Sequence, residues 1–280
     1  MLFWRAIMET INITNPEKIL FNNPQITKMQ VANYYLDVAP YMLPFVQNRV
    51  LSVIRCHDGI NGECFFKKHP QKSEFVESFF IDKEEYFYIK NVFQIISQVQ
   101  NGTLEFHTTP HNIAGTQKTS IMVFDLDPDT TLPHRSLCSA VMKIKQLLDE
   151  LNLTSFLKTS GGKGFHIAVP FKANKNADAF YDFAKNIALL AESKWPNIFT
   201  TNIKKNSRKG KIFVDYLRNN ENSTCVCPFS LRARENAPIS FPIAWNNLEK
   251  IAPNQVNLKN YKKFLNNSWD IFFKINQKIN

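Results

Sequence analysis

The sequence predicts an α/β chain built as one unit from a smaller N-terminal part and a larger C-terminal part. Three observations lead there. Short apolar runs rich in β-branched and aromatic residues recur at 50–55, 121–124, 165–169 and 212–214, each bounded by turn residues, as buried strands are. Between them, 28–43, 134–151 and 176–192 carry helical spacing. Neither a repeat nor a low-complexity linker divides the chain.

The totals narrow the function. A chain of 280 residues can bury a substantial core, in one large domain or two small ones. At 44% apolar it is not a disordered chain. Lys and Arg outnumber Asp and Glu by 34 to 24, which points to a polyanion, nucleic acid before acidic lipid. The five cysteines (Cys56, Cys64, Cys138, Cys225 and Cys227) are odd in number and include no CxxC. That argues against a disulfide framework and for thiols in a reducing, intracellular compartment. Cys56, His57, Cys64 and His69 match no zinc spacing. The opening M-L-F-W-R-A-I-M is too short to span a membrane and lacks a signal-peptide layout. It reads as an extension over residues 1–12, with Met8 as an alternative start.

The elements follow in order. Thr27 is a candidate N-cap for a helix over 28–43 that ends near Pro44. Strands are expected at 50–55 and 63–67 around a turn at 57–62, then a helix over 83–98 and a strand at 103–107. The strand at 120–127 precedes an amphipathic helix over 134–151, with Leu137, Val141, Ile144, Leu147 and Leu148 on one face. Strands at 155–159 and 165–169 flank a Gly-rich turn, and a helix covers 176–192. A basic, solvated loop at 204–211 leads into a strand at 212–217. Another strand is expected at 230–234, and a helix over 258–280.

Four stretches carry chemistry. In S-I-M-V-F-D-L-D, strand alternation sends Asp125 and Asp127 to the same face. Two such charges roughly 6–7 Å apart repel by about 2–3 kcal/mol at an effective dielectric near 20, so a cation is expected beside them. The D-P-D that follows also fits a solvated surface turn. In T-S-G-G-K-G-F-H, the glycines permit positive φ and bring N–H groups close to a ligand, while Ser160, Lys163 and His166 add donors for phosphate oxygens. Gly164 stands where a Walker A loop needs Ser or Thr, and a plain glycine hairpin also fits. In V-D-Y-L-R-N, Asp215 ends an apolar run as Asp125 does, and a third carboxylate completes an oxygen-ligand set for Mg²⁺ or Mn²⁺. Asp215 also fits an ion pair with Arg218. In S-L-R-A-R, a strand would align Arg232 and Arg234 on a polyphosphate, or in surface ion pairs. D-x-D-x-D at 125–129 lacks the Gly and Glu of a calcium loop. Together the acids, the Gly-Lys loop and the arginines fit a two-metal nucleotidyl-transfer site.

The order F-D-L-D-P, T-S-G-G-K-G-F-H, V-D-Y-L-R-N and S-L-R-A-R-E-N-A-P-I-S-F-P-I-A-W resembles the archaeo-eukaryotic primase superfamily. Within it, the chain is similar to the polymerase (primase-polymerase) domain of bacterial DNA ligase D. I-T-N-P-E-K, I-T-K, R-C-H-D-G and F-F-K-K extend the likeness from Ile13 to about Trp245. The resemblance implies a primase-polymerase fold, with mixed and antiparallel central sheets and an RRM-like catalytic half flanked by helices. Residues 13–280 would be a single domain, its smaller part over about 13–100 and its catalytic part over about 101–280. It also implies metal ligation by Asp125, Asp127 and Asp215, and nucleotide binding by His107, Ser160, Lys163, His166, Arg218, Arg232 and Arg234. Asn15, Lys18 and Lys28 would hold a DNA 5′-phosphate, and Phe65 and Phe66 would stack on the template.

The implied function is template-directed nucleotidyl transfer that fills gaps and extends ends at double-strand breaks in non-homologous end joining. The cofactors would be two Mn²⁺ or Mg²⁺ ions, with a nucleoside triphosphate as substrate. The partners would be gapped or broken DNA with a 5′-phosphate, a Ku-type end-binding protein and a separate DNA ligase, with no membrane. The setting would be the bacterial cytoplasm and nucleoid. A stand-alone primase and a non-catalytic end-binding module are the alternatives. The chain departs from the family at Thr108 and Thr109, in 111–119, and at Cys56 and His57, where an aromatic–proline pair is more usual.

Overall fold

The computed structural model describes residues 11–69, 75–81, 83–113, 119–172, 174–265 and 269–279. Residues 1–10 of the expected extension, Met8 included, lie outside the described residues. The chain divides into two compact units. One comprises Met1–Thr108, Val226–Ile239 and Asn257–Lys259; the other comprises Thr109–Cys225, Ser240–Val256 and Asn260–Asn280.

The first unit opens with a hairpin of β1 (Ile19–Asn22) and β2 (Gln25–Thr27). Helix α1 (Lys28–Val46) starts at Thr27, whose hydroxyl accepts from the Gln30 N–H while the Gln30 side chain accepts from the Thr27 N–H. This reciprocal capping box satisfies two donors that the first turn cannot. The helix continues through Pro40 and Pro44, each of which removes one ladder donor. Strand β3 (Arg49–Cys56) pairs antiparallel with β4 (Cys64–Lys67), and β5 (Glu77–Ile81) with β6 (Glu84–Tyr88). Helix α2 (Val92–Gln100), capped by Asn91, precedes β7 (Thr103–Asn112), which flanks β3.

Two expectations are corrected in this unit. The helix over 83–98 is a strand in its first half. E-E-Y-F-Y, rich in aromatics, pairs with E-S-F-F-I, and the helix begins only where Asn91 supplies a cap. Not all the cysteines are free thiols: Cys56 and Cys64 are disulfide-bonded. The antiparallel register sets them directly opposite each other, a pairing that cysteine parity cannot reveal. As a disulfide they are also unavailable as metal ligands beside His57 and His69.

In the second unit, β8 (Thr119–Pro128) is followed by α3 (His134–Glu150), β9 (Phe156–Thr159), β10 (Phe165–Lys172) and α4 (Ala177–Lys194). Then come β11 (Phe199–Thr200), β12 (Ile212–Asp215) and β14 (Pro242–Ile243), while β13 (Cys225–Val226), which falls between the last two in sequence, belongs to the sheet of β7, β3 and β4. The sheet order is β11-β12-β8-β10-β9-β14, antiparallel except for β11 with β12. Helix α3 buries the apolar face read from its spacing, and α4 buries Phe180, Ala184, Ile187, Ala188 and Ala191. Each fully buried large apolar side chain contributes roughly 1.5–3 kcal/mol. The sheet is therefore a firm base for the polar groups on its strands.

The helix expected over 258–280 is also corrected. Its described residues form turns and two 3₁₀ segments, Tyr261–Lys263 and Phe272–Lys274. The segment is rich in Asn, a poor helix former, and its large side chains anchor singly. Trp269 and Phe272 stack at 4.8 Å and both lie against Phe156. Among the described residues no helix is long and apolar enough to cross a membrane.

Candidate functional site

The second unit carries the acidic cluster. Register sets Asp125 opposite Asp215 on β12 on one side and opposite His166 on β10 on the other. Asp127 lies two residues along β8, on the same face. Each carboxylate faces a different basic group. Asp125 Oδ1 is 3.3 Å from His166 Nε2, Asp127 Oδ2 is 3.6 Å from Arg208 Nη1, and Asp215 Oδ2 is 3.1 Å from Arg218 Nε. The three carboxylates, Arg208, Arg218 and Phe213 line an open cavity of about 280 Å³.

The electrostatics separate the acids. Burial pushes the Asp125 carboxyl up, but His166, followed by Arg218 and Lys158, outweighs it and holds the pKa at about 2. Burial raises Asp215 above its ordinary value; Arg218 opposes this and the neighbouring Asp125 charge adds to it. Burial opposes charge on the His166 ring, yet Asp125 lifts its pKa overall. Two adjacent acids are thus driven apart in proton affinity, as at sites that bind cations or move protons.

Asn219 fixes where β12 stops. Its side-chain carbonyl accepts from the Val123 N–H at 2.7 Å, and its amide donates to the Val123 and Tyr216 carbonyls, each at 2.8 Å. One side chain thus satisfies the β8 backbone beyond the last rung of β12, and Asp215 occupies that rung.

The Gly-rich loop is built tightly. Ser160 Oγ accepts from the N–H groups of Gly162 and Gly164, at 3.0 and 3.2 Å. By accepting from both, the hydroxyl shapes its own loop. Gly161 has φ +67°, and a Cβ on Gly164 would meet the Leu126 carbonyl oxygen at 2.0 Å. No side chain fits there, which is why Ser or Thr cannot follow this lysine. Lys163 is exposed at the tip.

Among the described residues no group of three or more His, Cys, Asp or Glu side chains is spaced to hold a metal ion. The donor chemistry fits all the same. Three carboxylates on adjacent strands offer the oxygen ligands that Mg²⁺ and Mn²⁺ prefer. Asp127 and Asp215 are each held toward an arginine, so an ion would have to turn them away from Arg208 and Arg218.

The first unit holds a separate cluster. Glu105 and His107 share a face of β7, and Glu105 is buried. Its Oε2 lies 2.8 Å from His107 Nε2 and 2.9 Å from Arg232 Nε, and its Oε1 accepts from the Ala233 N–H at 2.7 Å. Burial pushes this carboxyl up, but His107 and Arg232 outweigh it and hold the pKa at about 2. The expected strand at 230–234 is corrected. Leu231 makes a single bridge to Ile239, and the chain turns through Asn236 and Ala237 at positive φ. Arg232 is half-buried on Glu105, whereas Arg234 is exposed.

Asn15, Lys18 and Lys28 come together. The Lys18 N–H donates to the Asn15 carbonyl at 3.0 Å, and the Lys28 N–H to the Lys18 carbonyl at 2.8 Å. Lys28 Nζ donates to the Thr14 carbonyl, and Lys18 Nζ lies 2.7 Å from Asp58 Oδ1. Burial, then the neighbouring Lys18 charge, lowers the Lys28 pKa. Phe65 and Phe66 are 45% and 56% exposed, so neither is a core residue. The Phe66 ring lies 6.4 Å from the His107 ring.

Glu105, Arg208, Lys158 and Asn219 escaped the sequence reading as site residues. Glu105 carried a signal, a charged residue two positions before His107 in a strand pattern. Lys158 carried the same kind of signal inside F-L-K-T. Arg208 carried none among the five basic residues of 204–211.

The likeness to known proteins covers both units. The family described as "LigD, primase-polymerase domain" matches residues 27–272. The multifunctional non-homologous end joining protein LigD of Pseudomonas aeruginosa is 34% identical over 262 residues, covering 91% of this chain and 31% of that protein. The bifunctional LigD of Bacillus subtilis is 29% identical over 248 residues, covering 88% and 40%. The chain thus spans about a third of the length of the relatives it matches. Among solved structures, the polymerase domain of Mycobacterium tuberculosis ligase D in complex with DNA superposes with a TM-score of 0.82 at 26% identity, covering 89% of this chain and 92% of that one. By sequence and by fold, the chain belongs to the LigD primase-polymerase domain family, a family of nucleotidyltransferases.

Proposed function

We propose that this chain is a template-directed nucleotidyltransferase that fills gaps and extends ends at DNA breaks. The observation that carries this reading is the row Asp215, Asp125, His166 across three adjacent strands, with Asp127 one step along and two arginines at the acids. The bond formed joins a primer 3′-oxygen to the α-phosphorus of the nucleotide; the bond broken releases pyrophosphate. Asp125, Asp127 and Asp215 would hold Mg²⁺ or Mn²⁺, which when bound acidifies the 3′-hydroxyl and offsets charge on the pyrophosphate.

The chain's own residues do the rest. Arg218 leaves Asp215 for a phosphate oxygen, a better partner for a planar guanidinium once the acid is engaged elsewhere. Lys163, the Ser160 hydroxyl and the His166 ring take the remaining oxygens. In the first unit, His107, Arg232 and Arg234 serve the nucleotide, with Glu105 holding the first two in place. Asn15, Lys18 and Lys28 take a 5′-phosphate, and Phe65 and Phe66 stack on template bases for about 1–3 kcal/mol each. Residues 13–280 act as one functional module. The named end-joining role of the relatives supports a cytoplasmic, nucleoid setting with a Ku-type protein and a DNA ligase as partners.

Primer extension on a 5′-phosphorylated gapped duplex tests the reading, with ribo- and deoxyribonucleotides and with Mn²⁺ or Mg²⁺. Extension is expected from the parent protein and none from Asp125→Ala with Asp127→Ala. Equal extension by the two would overturn the carboxylate assignment.

A further inference from the structure

We infer that Lys158 is a positioning residue for the carboxylate site: its ammonium fixes the His166 ring so that Nε2–H, and not Nδ1–H, faces Asp125. The inference rests on reading Asp125 as part of the nucleotidyl-transfer site.

Three strand pairings place four polar residues in a single row. Asp215 on β12 lies opposite Asp125 on β8, Asp125 opposite His166 on β10, and His166 opposite Lys158 on β9. Cross-strand partners project from the same face of a sheet, so the row is continuous. Its far end is deeply buried: His166 and Lys158 are each 2% exposed. Lysine is among the residue types least often buried, so its presence there calls for strong partners. They include Ser240 Oγ at 2.5 Å and His166 Nδ1 at 3.0 Å.

The direction of these bonds follows from the groups. An ammonium has only hydrogens to offer. A ring nitrogen that accepts from it cannot also carry a proton, so the proton of the neutral imidazole sits on Nε2. That nitrogen lies 3.3 Å from Asp125 Oδ1. A donor held against one oxygen of the carboxylate orients the group and leaves its other lone pairs to a cation. Partners of this outer kind typically change metal affinity or activity about 10–100-fold when removed.

One competitor stands at the same nitrogen. Cys225 Sγ lies 3.3 Å from His166 Nδ1. As a thiol it would donate there as Lys158 does; as a thiolate it would draw the ring proton to Nδ1. The two candidates are therefore separable by substitution.

The test is long-range ¹H–¹⁵N correlation spectroscopy on the full chain labelled at histidine, at pH 8.5, with His166→Asn to assign the peaks. The expected spectrum shows His166 as the Nε2–H tautomer in the parent and in Cys225→Ala. In Lys158→Met the Nδ1–H form should appear. An Nδ1–H or doubly protonated ring in the parent overturns the inference, as does an unmoved tautomer in Lys158→Met or a shift in Cys225→Ala. Should Lys158→Met fail to fold, the parent and Cys225→Ala spectra decide. In primer extension, folded Lys158→Met should lose about 10–100-fold in kcat. An unchanged kcat also overturns it. Absence of extension by the parent would sink the nucleotidyl-transfer reading and leave the tautomer result standing.

Discussion

Glu105 and Asp215 are both buried carboxylates beside an arginine, yet they are solved differently. Glu105 receives His107, Arg232 and a backbone N–H, and its pKa falls to about 2. Asp215 has Arg218 on one side and another acid across the strand, and its pKa rises. In the first, the carboxylate has all its partners from the protein. The second is an excess of negative charge held in check by arginines that point into an open cavity. A buried acid with all its partners supplied is structural; one that shares too few cations among too many acids is waiting for another.

The comparison makes four predictions. The largest effect is on function. Asp215→Asn should cut primer extension by at least about 10³-fold, while the thermal midpoint stays level or rises because a strained like-charge pair is relieved. A large loss of stability would put Asp215 in the class of Glu105. Next, Glu105→Ala strips the counter-ion from His107 and Arg232 and should cost about 3–5 kcal/mol in urea unfolding. A cost below about 1 kcal/mol would mean that the cluster is not structural.

The third prediction concerns pH. The folded pKa of Glu105 lies below its unfolded value of about 4.5, so its stabilisation is complete above that pH and is lost as pH falls toward 2. The shift corresponds to about 3 kcal/mol. Unfolding of the parent and of Glu105→Gln at pH 7, 4.5 and 3 should show a shallower acid loss in the variant, and parallel curves would contradict it. The smallest effect is at Arg208, whose contact with Asp127 is long and partly exposed. Arg208→Ala should tighten Mn²⁺ binding in the absence of nucleotide about two- to fivefold, the equivalent of about 0.5–1 kcal/mol. Weaker binding, read by the loss of free Mn²⁺ signal in electron paramagnetic resonance, would mean that the arginine assists the site when empty.

What the sequence disclosed follows the range of the interactions. Helices α1, α3 and α4, and strands β8 and β10, have strong periodicity or caps, and the structure has them within a few residues. The three aspartates stood out because acids at the ends of apolar runs are locally unusual. Register was not legible, since no local pattern says that Lys158 will face His166 or that Cys56 will face Cys64. Segments 230–234 and 258–279 were misread for the opposite reason. Their spacing suits a strand and a helix, but bridges, positive φ and single aromatic anchors set their course.

Asn219 has a consequence for how this site can change. Because its amide is bound to Val123 at one end of the five-residue span 215–219 and Asp215 is the last rung of β12 at the other, that span is a ruler of fixed length. An insertion within it would carry Arg218 off its acid even with every side chain retained. Just past it the chain is unconstrained in this way, as Asn220 and Glu221 are exposed. Length variation among related chains should therefore gather after Asn220 and be missing from 215–219. A designer who wished to graft a loop beside the cavity would cut after Asn220.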